Sequence, residues 1–166
     1  MKEQTFHFSF EVYDSIDDLN KEDQHLLSQA RHATKNAYAP YSNFSVGAVA
    51  KLSNGKIVSG SNQENASFPV GICAERILLG SIASLYPGMP IETMAISYDS
   101  KIVKSDHPVS PCGMCRQALQ EFEGRMKKPI RLILGGMEGK IYIIDSAGVL
   151  LPLAFTSEEI KSKSKK

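Results

Sequence analysis

Hydrophobic positions near the start of the chain recur every second residue. Phe6, Phe8, Phe10 and Val12 alternate with more polar residues, which predicts a short strand. From Asn20 to Tyr38 the spacing becomes helical. Leu26, Leu27, Ala30, Ala33, Ala37 and Tyr38 share one face, with Asn20 placed to cap the start and Pro40 to end it. Period two returns at Phe44, Val46, Ala48, Ala50 and Leu52; Asn54-Gly55 then predicts a tight turn, and Ile57 starts the return strand. A second helix is expected from Cys73 to about Tyr86, buried along Ala74, Ile77, Leu78, Ile82 and Leu85 and ended by Gly88 and Pro90. A strand over Ile91–Tyr98 follows, then a third helix over Cys112–Phe122 with Ala118, Leu119 and Phe122 inward. Strands at Ile130–Leu134 and Lys140–Ile144 flank a glycine-rich turn, and a short helix is expected over Ser157–Lys161. Strands alternating with helices, together with one hairpin, predict a layered α/β domain around a mixed sheet.

Composition narrows the class. At 166 residues the chain is long enough for one domain with its own core, and 42% apolar against 22% charged residues is globular usage. Residues 1–19 read as an amino-terminal arm holding one short strand, and residues 20–160 as a single domain. Residues 161–166, Lys-Ser-Lys-Ser-Lys-Lys, are too polar to pack and are expected to form a disordered basic tail. A net charge of +1 gives no electrostatic case for wrapping nucleic acid or coating an anionic membrane. No apolar run approaches the roughly 18 residues of a membrane helix, and Met1–Thr5 lacks the apolar core of a secretion signal, so a cytoplasmic location is expected.

Cysteine carries the chemistry. Cys73, Cys112 and Cys115 are an odd number, which disfavours a disulfide framework; in a reducing compartment clustered thiols bind metal or react. Cys112 and Cys115 lie three apart at a predicted helix start, on one face, where free N–H groups and the helix dipole favour thiolates. Alone, the pair fits a redox dithiol, half a metal site or coincidence. Cys73 starts the other central helix, two residues before Glu75. Two helix starts can converge on one zinc, and three thiolates leave a fourth position for water, the pattern of a catalytic site. Glu75 is then placed to take that water's proton. Three thiolates also quench the metal's Lewis acidity, which a nearby cation would offset; Arg76 and Arg116 each follow a site residue and either could donate to sulfur.

Cys-Ala-Glu-Arg at 73–76 and Ser-Pro-Cys-Gly-Met-Cys-Arg-Gln at 110–117 correspond to the zinc deaminase signature with Cys in place of His. With Tyr38–Ala48 and Gly60–Ala66, they make the chain resemble the cytidine deaminases that act on free nucleosides, over roughly Ala30 to Phe155. The resemblance implies a three-layer α/β/α fold with a mixed five-stranded sheet. It implies one Zn²⁺ per subunit on Cys73, Cys112 and Cys115, Glu75 as proton shuttle, and Arg76 as the residue easing thiolate charge. It further implies Phe44 against the pyrimidine, Asn62 and Glu64 at the ribose 3′-hydroxyl, and the Ala74 N–H on the base carbonyl. Phe155 would reach into a neighbouring subunit's site, in a homotetramer. The implied reaction is hydrolytic deamination of cytidine and 2′-deoxycytidine to uridine and 2′-deoxyuridine, a pyrimidine-salvage step. The arm at Met1–Tyr13 has no clear counterpart in the shortest members, and Phe68 stands where tyrosine is common.

Other readings are weaker. A deaminase of nucleotides or polynucleotides conflicts with Glu64, whose carboxylate would repel a 3′-phosphate. Arg125, Lys127, Lys128 and Arg131 form the one candidate phosphate path and read better as a solvated loop. A blasticidin-type deaminase would not be expected to carry the Asn62–Asn65 segment. A non-catalytic zinc assembly module needs no carboxyl beside the metal. His7, His25, His32 and His107 have no ligand spacing with the cysteines and read as surface or helix-face residues.

Overall fold

A computed structural model describes residues 1–160. The expected tail at 161–166 and the last residue of the expected Ser157–Lys161 helix lie outside the described residues; Ser157–Glu159 form a single 3₁₀ turn. In chain order the elements are β1 (Glu11–Tyr13), α1 (Lys21–Ala33), β2 (Phe44–Leu52), β3 (Ile57–Ser61), α2 (Ala74–Leu85), β4 (Ile91–Ser100), α3 (Gly113–Met126), β5 (Arg131–Gly135) and β6 (Ile141–Ile144). The sheet runs β1-β6-β5-β4-β2-β3. β4 and β5, joined through α3, are parallel, and the other neighbouring pairs are antiparallel.

Strand alternation divides the core into two layers. Val49, Ala95, Ile133 and Ile143 face α1 and bury Leu26, Leu27, Ala30 and Ala33. Ala48, Ala50, Met94, Leu132 and Leu134 face the other way, against Leu78 and Ile82 of α2 and Leu119 and Phe122 of α3. This is the expected three-layer arrangement. Glycine permits the close approach of both layers. A Cβ on Gly47 would lie 2.2 Å from the Ala30 carbonyl oxygen, and one on Gly60 would lie 2.8 Å from that of Ala74. Gly60 therefore lets the first turn of α2 press onto β3.

The sheet has six strands, not five. The sixth is the arm, whose Val12 pairs with Tyr142 of β6. Only Glu11–Tyr13 pair; Phe6, Phe8 and Phe10 are exposed and form a ladder of rings ending on Tyr142, with the Phe10 and Tyr142 centroids 4.9 Å apart. α1 also ends before the expected Tyr38. A 3₁₀ turn at Thr34–Asn36 follows it, and the Tyr38 backbone instead bridges to the next segment, donating to Asn62 O and accepting from Glu64 N. Leu85, expected inward, is 67% exposed; Tyr86 and Met89 pack on the core in its place. No described helix is long and apolar enough to cross a membrane.

Candidate active site

Two helix starts border one cleft with Phe44 and Val46, at the start of β2. Cys73 is the N-cap residue of α2, and Cys112 that of α3. Neither side chain makes a capping bond, so both thiols remain available. Cys115 lies one turn into α3 and is buried. The three sulfurs all lie within 4.8 Å of one another, with Cys73 Sγ to Cys112 Sγ at 3.8 Å and Cys112 Sγ to Cys115 Sγ at 3.4 Å. A tetrahedral Zn²⁺ with sulfur at about 2.3 Å spaces its sulfurs by about 3.8 Å, so the donor set fits that metal. The Cys115 thiol, as hydrogen-bond donor, pulls the Cys73 pKa below its ordinary value; the same contact raises Cys115 itself.

Glu75 belongs to the first turn of α2 and is only 5% exposed. Burial raises its pKa above the ordinary carboxylate value. It opens into a cleft of about 440 Å³ together with Cys73 and Cys112. Phe44, Val46 and Ile96 make the apolar wall of that cleft, and Asn62 borders it. The Phe44 ring stacks on the buried Tyr98, with centroids 4.9 Å apart and an interplanar angle of 11°. Ala74 is fully buried at the first helical position, where a backbone N–H has no partner within the helix.

The polar residues beyond β3 are already engaged. Asn62 Oδ1 accepts from the Val46 N–H at 2.7 Å, and Nδ2 donates to Phe44 O at 2.9 Å. Glu64 accepts from the Tyr41 N–H at 2.8 Å and the Ser42 N–H at 3.3 Å. A hydrogen bond from the Ser42 side chain, with those backbone bonds, holds the Glu64 pKa below the usual carboxylate value. Glu64 lines a neighbouring depression of about 350 Å³, and Ser42 borders both spaces.

Cys73, Cys112, Cys115, Glu75, Phe44 and Asn62 thus converge, with Glu64 next door. Phe155 lies outside this cleft, 61% exposed, its carbonyl held by Gln117 Nε2 at 2.8 Å. Arg76 lowers the Cys73 pKa by its charge. Arg116 donates to the backbone carbonyls of Pro111 and Leu150. The basic cluster is largely engaged: Arg131 grips Asp23 through two bonds of 2.8 Å, Lys128 pairs with Glu92, and Arg125 lies over Phe122. No histidine joins the metal-capable group among the described residues. Sequence reading missed Val46 and Ile96 as walls, although Val46 is two residues from Phe44 on the same face. Tyr98 carried no local signal, because its partner lies across a strand pair.

Residues 20–130 match the family model for the cytidine and deoxycytidylate deaminase zinc-binding region. The cytidine deaminase of Halalkalibacterium halodurans is 36% identical over 137 residues, 82% of this chain and 96% of its own. The crystal structure of cytidine deaminase from Burkholderia pseudomallei aligns with a TM-score of 0.69 at 37% identity, over 82% of this chain and all of that one. That from Mycobacterium tuberculosis aligns at 0.63 and 30% identity, over 82% and 98%. With a match that spans both helix starts and a sulfur cluster of zinc dimensions, the chain belongs to the cytidine and deoxycytidylate deaminase family of zinc enzymes.

Proposed function

We propose that the protein hydrolyses cytidine and 2′-deoxycytidine to the uracil nucleosides and ammonia. The observation that carries this reading is the buried Glu75 carboxyl beside three sulfurs at the floor of an apolar cleft. When bound, zinc supplies Lewis acidity toward water. Glu75 takes a proton from the attacking water and delivers it to ring N3, which makes C4 electrophilic. The water oxygen adds to C4; Glu75 then carries the proton of the new C4 hydroxyl to the C4 amino group, the C4–N bond breaks, ammonia leaves, and a C4 carbonyl remains. Phe44 stacks on the pyrimidine, and its fixed ring plane supports that role. The Ala74 N–H meets the base carbonyl, and Arg76 eases the thiolate charge.

Asn62 and Glu64 hold the ribose 3′-hydroxyl. The depressed pKa of Glu64 keeps it ionised, so it accepts a hydroxyl strongly and repels a 3′-phosphate. That favours free nucleosides over strands. Phe155, exposed and outside its own cleft, suits a role in a neighbouring subunit's site within a homotetramer. Three free thiols suit a reducing cytoplasm. A panel of cytidine, cytidine 3′-phosphate, cytidine 5′-phosphate and single-stranded DNA tests the substrate class. Turnover of cytidine with little of the 3′-phosphate is expected; efficient use of the 3′-phosphate or of DNA would overturn it.

A further inference from the structure

Arg116 follows the third cysteine, yet its guanidinium serves two backbone carbonyls. Nε donates to Pro111 O at 2.8 Å, and Nη1 donates to Leu150 O at 3.0 Å. Pro111 immediately precedes Cys112, so that carbonyl belongs to the turn that sets the second sulfur. Leu150 closes a 3₁₀ turn, Ala147–Leu150, from which the chain runs on to Phe155.

The same helix holds that segment at two more places. Gln117 Nε2 donates to the Phe155 carbonyl. Glu123 accepts from the Ala147 N–H at 2.9 Å, the Gly148 N–H at 3.0 Å and the Ser146 hydroxyl at 3.1 Å. Gln117 and Glu123 touch the segment and not the cysteine turn, whereas Arg116 touches both. Its planar fork, with donors at fixed angles, can bridge two carbonyls; a lysine ammonium is a compact charge without that geometry.

We propose that Arg116 is a positioning residue that couples zinc retention at Cys73, Cys112 and Cys115 to docking of the 146–155 segment. Groups that orient metal ligands from behind typically change metal affinity by about 10–100-fold when removed. Coupling is reciprocal, so zinc must in turn steady the segment. The proposal rests on the zinc site and is independent of which cytosine compound is the substrate.

The test follows zinc release from the full-length, zinc-loaded protein to a chromogenic chelator. Arg116→Lys and Arg116→Gln should release zinc about 10–100-fold faster. Gln117→Ala, which frees Phe155 alone, should release it at the wild-type rate. Glu123→Ala should speed release in the wild-type background and have no further effect with Arg116→Gln, since the coupling is already cut. Release by both Arg116 variants within twofold of wild type, or equal effects of Glu123→Ala in both backgrounds, would overturn the proposal. Hydrogen exchange on the unmodified chain needs no variant. Amides of residues 147–151 should lose protection when zinc is chelated, and unchanged protection would also overturn the proposal.

Discussion

Asn62 fixes the position of Phe44. Its amide nitrogen donates to the Phe44 carbonyl at 2.9 Å while its oxygen accepts from the Val46 N–H at 2.7 Å, so one side chain holds two points of the strand that carries the stacking ring. Asn62→Ala removes both bonds and leaves a half-buried strand end unpaired. We expect stability to fall by about 1–3 kcal/mol. KM for cytidine should rise more than kcat falls. Thermal melts and steady-state kinetics check this; a changed kcat with unchanged KM would assign Asn62 to the chemical step.

Glu64 should discriminate by its charge. Loss of a charge-assisted hydrogen bond should raise KM by about 10–100-fold in Glu64→Gln. The wild type should suffer the same loss on 3′-deoxycytidine, and the variant little more. The pH sign follows from the depressed pKa. The carboxylate's contribution is present above the ordinary carboxylate pKa and is lost only as pH falls through its lower folded value. KM should therefore stay flat through the range where an ordinary carboxylate protonates, which initial rates against pH will show.

Arg131 is structural. Asp23, 4% exposed, receives both its guanidinium bonds, tying the start of α1 to β5. Arg131→Ala strands a buried carboxylate and should cost about 3 kcal/mol by denaturant unfolding, with KM for cytidine unchanged. A raised KM would assign this residue to substrate binding instead.

Gly60 sets the depth of α2. A Cβ there would lie 2.8 Å from Ala74 O and 2.9 Å from Leu78 N, both backbone. Gly60→Ala must displace the turn that carries Cys73 and Glu75. We expect about 1–3 kcal/mol of destabilisation and a lower zinc content per chain by elemental analysis. Full zinc occupancy with unchanged stability would contradict the close approach.

Much of this arrangement was legible in the sequence because it is local. The helix starts follow from Pro, Gly and period, and the spacing of Cys112 and Cys115 puts both on one face before any fold is known. The hairpin over Asn54-Gly55 is likewise a turn signal. What escaped depends on tertiary pairing. The arm became a sixth strand because β6 offered a free edge at Tyr142, which alternation in Phe6–Val12 could not reveal. Tyr38 left the expected helix because Asn62 and Glu64 compete for its backbone. Arg116 beside Cys115 reads from the sequence as able to donate to sulfur; that it serves the Leu150 carbonyl instead depends on a residue 34 positions further on.

The most direct measurement compares ammonia release from cytidine by zinc-loaded protein and by Glu75→Gln at matched zinc content. We expect one ammonia per uridine from the intact protein and a rate lower by about a hundred- to ten-thousand-fold in the variant. No ammonia from the intact protein, or an undiminished rate in Glu75→Gln, would contradict the role of Glu75 as the group that moves the protons.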